Sequence, residues 1–484
     1  LAPVLSEVPV LRCQAIRRGR YSEYFADEDV AEVVGHDLDF ILRFDFGIIR
    51  GPILKAARHG VWSFHHGDEE HYRGGPPCFW EIFDGAAVTG SMLQRLTDRL
   101  DGGVVLQKGF FRTIDHSYAR NRDAAYLGGV EWPGKVCADI GNGLATYLDA
   151  PPTSSAAPIR RNPRAGQTLV FMLKLGRNFV RNQVRALAGA DQWAVGVVAA
   201  PIQDLVHLDP EVRPTPQWLP EPPRARYLAD PFGVEHDGAV TLLVEDYDYR
   251  TGRGTIATIE VGGQGAVSVP EPAMAISSHA SYPYLFDHDG ERYCVPETHQ
   301  AREAALYRAT DFPTGWTKVC CLVEGLAALN PTVFRHEDRW WLLCTDYEEG
   351  GNTKLHAWFA AELTGPWTPH DANPVKTDVR SARPAGTPFV HEGALFRPAQ
   401  DSTRTYGGAV VINRVLTLTP TAFSEETVRV IEPDPAGPYP HGIHTLSAAG
   451  DVTLIDGKRT RFVWPAFRRD LGARVDRLRG GGAL

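Results

Sequence analysis

"YLFDHDGERYCVPET", residues 284–298, is written as two short β-strands around one tight turn. Aromatic and apolar residues fill Tyr284–Phe286, "DHDG" supplies turn chemistry, and the second run ends in the polar pair Glu297–Thr298. The same plan returns in "FGVEHDGAVTLLVEDY" (232–247), "TVFRHEDRWWLLCTDY" (332–347) and "PFVHEGALFRPAQD" (388–401). A weaker copy is "LSAAGDVTLIDGKRTRFVW" (446–464). The turn residues Gly238, Gly290, Asp338 and Gly393 fall roughly 50 residues apart, the period of propeller blades. Five units predict a five-bladed propeller, with "QWAVGVVAA" (192–200) supplying the strand that closes the last blade.

Upstream the texture changes. "PVLRCQAI" (9–16) reads as a buried strand, "DEDVAEVVGH" (27–36) as a helix and "LDFILRFDFGII" (38–49) as a strand. "GPILKAARHG" (51–60) reads as a helix, "VWSFHH" (61–66) as a strand, "TGSMLQRLTDRL" (89–100) as a helix and "GVVLQKGFF" (103–111) as a strand. That alternation predicts an α/β domain with a mostly parallel sheet. "PPTSSAAP" (151–158) is linker-like. "QTLVFMLKLGRNFVRNQVRALAG" (167–189) is an amphipathic basic helix, of a kind that binds a membrane or partner, or bridges two domains. The expected division is an α/β domain over 1–118, a helical extension over 119–191, the propeller over 192–470 and a tail over 471–484.

Bulk properties narrow the function. A chain of 484 residues exceeds one ordinary core. Hydrophobic and charged fractions of 43% and 23% are those of a globular protein. A net charge of −9 argues against nucleic acid as a partner. No apolar run reaches the length of a transmembrane helix, and "LAPVLSEVPV" lacks the pattern of a signal peptide. The chain starts at Leu1, as a fragment of a longer protein would. Seven scattered cysteines without metal-type spacing predict reduced thiols and a cytoplasmic setting. His65, His66 and Asp68 match no zinc signature, and no metal is expected.

"SFH" (63–65), "YRGG" (72–75) and "LDGG" (100–103) resemble the formyltransferase family, with His65 and Asp101 thirty-six positions apart. The resemblance runs over roughly residues 8 to 115 and includes "TGSMLQRLTDRLDGG". It implies an α/β fold and formyl transfer from 10-formyltetrahydrofolate to an amine. His65 would polarise the tetrahedral oxyanion, Asp101 would partner it, and Arg73 would hold the substrate or the loop. Ser63 stands where that family has asparagine. The loss of one oxyanion donor costs roughly 10²–10³ in rate. The resemblance also implies that the family's first strand and helix would precede Leu1.

"LADPF", "SHASYPYLF", "VPET", "NPTVF", "WWLL", "GPWTPH", "RPAG", "RPAQD", "YGGAVV" and "GIHTL" resemble the N-terminal module of plant glucosamine inositolphosphorylceramide transferases and, distantly, glycoside hydrolases of families 43 and 32. That resemblance implies a base at Asp230, an acid at Glu297, and Asn330 where a third carboxylate is expected. It sets His279, Tyr282, Arg383, Arg397, Gln400 and His444 around the axis, a ring suited to a sugar or sugar phosphate. Trp316, Trp340, Trp341 and Trp367 are expected to pack blades.

Together these readings predict formyl or acyl transfer to an amine on a sugar-containing substrate, an amino sugar or sugar nucleotide, with the propeller binding it. Two rivals stand beside it. One is glycoside hydrolysis or glycosyl transfer on the propeller axis, and the other a non-catalytic protein that binds a glycan or partner.

Overall fold

The computed structural model describes residues 8–19, 21–99, 102–207, 213–223, 225–236, 239–262 and 266–480. The chain divides into two compact units: 1–109 with 117–171, and 110–116 with 172–484. The division therefore falls inside the segments expected as domain 1–118 and extension 119–191.

In the first unit, β1 (Ile41–Arg43), β2 (Val61–His65), β3 (Val88–Arg95) and β4 (Val104–Arg112, which runs across the division) make one sheet in that order. β1 and β2 are parallel, β2 and β3 antiparallel. The sheet is mixed, which corrects the mostly parallel expectation. β3 also corrects the helix expected over 89–100. Met92 and Leu93 are consecutive and both buried. Successive strand residues point to opposite faces, so a sheet covered on both sides accepts them, whereas a one-sided helix would not.

Helix α1 spans Asp27–Gly35, with three acids in its first turn where the helix dipole favours them. Residues 52–55 form one 3₁₀ turn rather than the helix expected over 51–60. Proline suits the start of that turn, and the chain needs only a short connection there. Residues 9–15 are not strand, and the strand Ile16–Arg18 is exposed. The strand expected over 38–49 is cut into Ile41–Arg43 and Ile48–Ile49 by the turn around Asp45, at φ 61. Helices α2 (Phe79–Asp84), α3 (Tyr118–Leu127) and α4 (Trp132–Gly141) follow. Val61, Trp62, Leu93 and Trp132 are fully or almost fully buried, and each such side chain contributes about 1.5–3 kcal/mol.

The second unit is β-rich. Four antiparallel sheets follow in chain order over 226–272, 281–324, 328–369 and 389–431, each with its strands in sequence. A fifth joins Ala190–Val198 to Val452–Arg461 along nine paired positions, with Gln217–Trp218 and Leu446–Ala449 outside them. The hairpin turns use the chemistry of the repeat. Asp289 and Gly290, at φ 50 and 78, join the paired residues His288 and Glu291. Glu392 and Gly393 do the same between His391 and Ala394. Two-residue turns with both φ positive match the twist of the flanking strands. Glu337 and Asp338 turn the third hairpin, and Gly238 lies outside the described residues. Middle strands are buried on both faces, as in "LLVE" (242–245) and "WLLCT" (341–345). Trp340 and Trp341 are buried; Trp316 and Trp367 pack partly buried against the core around Phe232, Tyr282 and Val333.

Helix α5 (Ala165–Ala188) spans the division, and α6 (Trp464–Gly480) follows the last strand. No helix among the described residues is long and apolar enough to cross a membrane.

Candidate functional site

Three sheets of the second unit share one device. Asp230, Tyr282 and Asn330 each precede a proline in the first strand of their sheet, and each has positive φ, 50, 43 and 50. Each marks a break in register: between Ala229 and Phe232, between Ser281 and Tyr284, and between Leu329 and Thr332. A non-glycine residue at positive φ costs of order 1–3 kcal/mol, and such strain clusters at functional sites. A bulge re-aims a side chain that a regular strand would pack between sheets.

The re-aimed residues are bound to one another across sheets. The Asp456 carboxylate accepts from the Asp230 backbone N–H at 3.1 Å. The Asp230 carboxylate accepts from Tyr282 N–H at 3.2 Å and the Glu297 carboxylate from Asn330 N–H at 2.9 Å. Arg383 completes the cluster. Its Nη2 donates to Glu297 at 3.2 Å and its Nε to Asn330 Oδ1 at 2.9 Å. Its guanidinium also lies over the Tyr406 ring. The Tyr282 hydroxyl accepts from Gly386 N–H at 2.7 Å and meets the Thr332 hydroxyl at 3.0 Å. Gly386 has φ 132, and a side chain there would strike the Leu446 carbonyl, so glycine is required.

His444 sits between two acids. Its Nδ1 lies 2.6 Å from Asp456 and its Nε2 3.7 Å from Asp230, and its ring stacks on Trp193 at 3.6 Å. The Thr445 hydroxyl donates to Asp230 at 2.8 Å. His279 accepts from Gly254 N–H on Nδ1 and directs Nε2 at Glu245, 3.7 Å away. His299 Nδ1 meets Glu297 at 3.2 Å.

The carboxyl groups are driven apart in protonation. Burial, joined by the charges of Asp230 and Glu297, pushes Glu245 well above the ordinary carboxylate value. Burial also raises Asp230, against the pull of His444. Burial opposes ionisation of Glu297 too. The hydrogen bond from His299, the Arg383 charge and the Asn330 N–H outweigh it, and its pKa falls. The surroundings thus favour the ionised form of Glu297 and the neutral form of Glu245.

Two predicted ring members behave differently. Arg397 is fully buried, but its guanidinium binds both oxygens of Glu425 and the carbonyls of Ser381 and Ala382. This corrects its placement among the ligand-facing residues: Arg397 and Lys376 share the Glu425 carboxylate in an ion-pair knot. Gln400 is fully buried, and neither atom of its amide has a hydrogen-bond partner among the described residues. Glu245, His299 and Asp456 were not foreseen. The repeat contained the signal for Glu245: it pairs with Ala229 as Glu297 pairs with Ser281.

His279–Glu297–His299 and Asp230–His444–Asp456 both bring ligand atoms together closely enough for a metal ion. In neutral His279, Nδ1 accepts a hydrogen bond, so Nε2 keeps its proton and is a poor ligand.

In the first unit, an open cleft of roughly 130 Å³ is lined by Arg43, Arg50, Ser63, His65, Gln94 and Arg99, among others. Arg43 Nη1 donates to the Ser63 hydroxyl at 2.8 Å. His65 Nε2 lies 3.3 Å from the Tyr72 carbonyl. Arg43 Nε and Gln94 Oε1 are buried and have no hydrogen-bond partner among the described residues. Arg73 faces the loop: its Nη1 donates to the carbonyls of Ser155 and Ala157, each at 3.1 Å. His66 bonds Ser91 and stacks on Tyr126; burial, with the charge of His65, lowers its pKa to about 4. Asp101 lies outside the described residues.

Residues 221–436 match the family model "Glucosamine inositolphosphorylceramide transferase 1, N-terminal". The chain is 31% identical over 250 residues to glucosamine inositolphosphorylceramide transferase 1 of Oryza sativa subsp. japonica, covering 49% of this chain and 34% of that protein. The Arabidopsis thaliana protein of the same name is 29% identical over 250 residues, covering 49% and 32%. The chain thus spans about a third of the length of these curated relatives. A methionyl-tRNA formyltransferase of Listeria monocytogenes is 24% identical over 162 residues, covering 33% of this chain and 51% of that protein. Among solved structures, the catalytic domain of the Coprinopsis cinerea GH62 α-L-arabinofuranosidase matches with 14% identity and a TM-score of 0.36, over 51% of this chain and 95% of that one. In sequence, therefore, residues 221–436 are similar to the N-terminal module of the plant transferases.

Proposed function

We propose that this chain acts on a sugar-containing substrate. The second unit would be a five-bladed propeller that holds the sugar against Asp230, Glu245, Glu297 and Arg383. The carrying observation is the strained backbone at Asp230, Tyr282 and Asn330, which turns side chains from successive sheets onto one centre. The unpartnered amide of buried Gln400 fits a polar ligand there. Similarity to transferases whose name includes glucosamine favours an amino sugar. Paired carboxylates and a guanidinium suit hydroxyl and phosphate groups of a sugar or sugar nucleotide.

The first unit would carry the transfer step, the formyl or acyl group passing to an amine. The unpartnered Arg43 Nε and Gln94 Oε1 fit a polar one-carbon carrier in the cleft, and Arg50 and Arg99 suit an anionic one. When bound, 10-formyltetrahydrofolate would supply the formyl carbon. Arg43 would orient the carbonyl oxygen, taking over the donor role that Ser63 cannot fill. His65 would take the proton that the attacking amine gives up.

Glycosyl transfer or hydrolysis at the propeller centre is the second reading. The opposite shifts of Glu245, upward, and Glu297, downward, favour it, because acid and base roles go to carboxyls whose pKa values are pushed apart.

Calorimetry with glucosamine and its nucleotide conjugates separates these. Binding weakened at least tenfold by Glu297→Gln, with formyl transfer abolished by His65→Ala, supports the first reading. Cleavage of aryl glycosides lost in Glu245→Gln and kept in His65→Ala supports the second. Absence of sugar binding by the wild-type chain removes both.

A further inference from the structure

Helix α5 turns its apolar side outward. Within the second unit, Met172, Leu173, Phe179, Val180 and Val184 are each 50–67% exposed. At 100° per residue they fall within one arc of about 140°. The opposite side carries the contact with the protein: Asn178 is buried and its amide donates to the Asp115 carbonyl at 3.1 Å. A helix that stabilises a soluble core does the reverse.

The charges are equally one-sided. Arg177 borders the apolar arc, Arg181, Lys174 and Arg185 continue round that same flank toward Asn178, and Ala165–Ala188 contains no acidic residue. Arg181 also pairs with Asp115, and Arg185 donates to the Thr405 hydroxyl, which fixes the cationic border toward the body. A second apolar feature adjoins the helix. Arg461, which pairs with Ala190 just after α5, leads into Phe462 and Trp464, which are 55% and 58% exposed. Farther along α6, Arg474 reaches Gln183 of α5 at 3.5 Å.

We propose that this face of α5, with Phe462 and Trp464 at its end, docks the protein onto an anionic lipid surface. Charge selects this occupant: a helix with four cations on one flank and no acid of its own complements a negatively charged headgroup layer. Leucine, valine, phenylalanine and tryptophan suit the region between headgroups and acyl chains, where an amphipathic helix lies parallel to the surface. The face shares no residue with either functional centre, and the inference does not rest on the proposed function.

Sedimentation of the full chain with vesicles tests it. Phosphatidylcholine vesicles containing phosphatidylserine should bind the wild type about tenfold or more tightly than phosphatidylcholine alone, and added salt should weaken the binding. Leu173→Glu with Val180→Glu should lower binding on the order of 100-fold, since each change withdraws one large apolar side chain from the lipid. Arg177→Gln with Arg185→Gln should remove the preference for anionic vesicles and leave the melting temperature near that of the wild type. A wild type that stays in solution with anionic vesicles overturns the proposal. So does unchanged binding by the Leu173→Glu, Val180→Glu variant at an unchanged melting temperature. Light scattering that finds a dimer, converted to monomer by the same pair, overturns it in favour of a second copy of this chain.

Discussion

The cleft beside His65 and the buried centre around Glu297 hold polar side chains by opposite means. In the cleft, each group is tied to nearby backbone or to one neighbour: Ser63 to Arg43, His65 to the Tyr72 carbonyl, Arg73 to the loop at 155–157. In the centre, Asp230, Glu297, Asn330 and Asp456 are bound across sheets through one another's backbone N–H groups. The first arrangement is open and locally replaceable. The second is buried and mutually dependent, so one loss leaves several partners unsatisfied. A substitution in the cleft should thus be felt mainly in activity, and one in the centre mainly in folding of the second unit.

Arg383→Ala should break this contrast most visibly. It leaves Glu297 and the Asn330 carbonyl oxygen buried with fewer donors. Removing one member of a buried ion pair costs about 3–5 kcal/mol. Denaturant unfolding followed through the second unit should show that loss, and a change below about 1 kcal/mol would mean that the centre is wetter than its burial implies.

Glu81 gives a pH test confined to the first unit. Burial raises its pKa from 4.5 to about 7, and its Oε1 has no hydrogen-bond partner among the described residues. The folded state therefore prefers the neutral carboxyl. The favourable contribution is complete below about pH 4.5 and is lost as pH rises through 7. Glu81→Gln should stabilise the first unit by about 2–3 kcal/mol at pH 8 and by little at pH 4. Equal effects at both pH values would place the raised pKa elsewhere.

Two smaller tests sharpen the cleft side. Ser63→Asn, which restores an amide donor beside His65, should raise any formyl transfer on the order of 10²-fold with little change in stability. Ser63→Ala removes the acceptor for Arg43 Nη1 and the donor to the Phe64 carbonyl, and should cost about 1 kcal/mol. If Ser63→Ala unfolds the unit, the cleft is as interdependent as the buried centre.

Much of the second unit was legible because its signals are local. A turn pair such as Asp289–Gly290 fixes a hairpin, and its recurrence fixes the count of sheets. Asp230, Asn330 and Glu297 could be picked out because each stands in a repeat beside proline or at a strand end. What the residues could not convey was direction. Arg397 lies two residues from Ala399 in a strand of the same sheet, yet its partner Glu425 sits on a strand reached only after the turn at 419–422. In the first unit the strands are two to nine residues long and their hydrophobic periods are cut short. "TGSMLQRL" matches a helical stripe as well as a strand buried on both faces, and only the presence of neighbours on both sides decides. Glu245 was overlooked because an acid at a strand end reads as a solvated cap, and its burial beside His279 becomes visible only once the strands are packed.

The pairing of Ala190–Val198 with Val452–Arg461 has a consequence for synthesis. One edge of Ala190–Val198 meets the two-residue strand Gln217–Trp218 early, but its long edge has no partner until the last strand has left the ribosome. Through that interval Trp193, Val195 and Val198, all buried in the finished sheet, stay uncovered on an open edge. Closing so long a segment is slow, and a stop codon before residue 452 leaves that edge unpaired for good. Truncated forms should therefore be the ones that chaperones retain and proteases clear, while the preceding four hairpin-built sheets can form as they emerge.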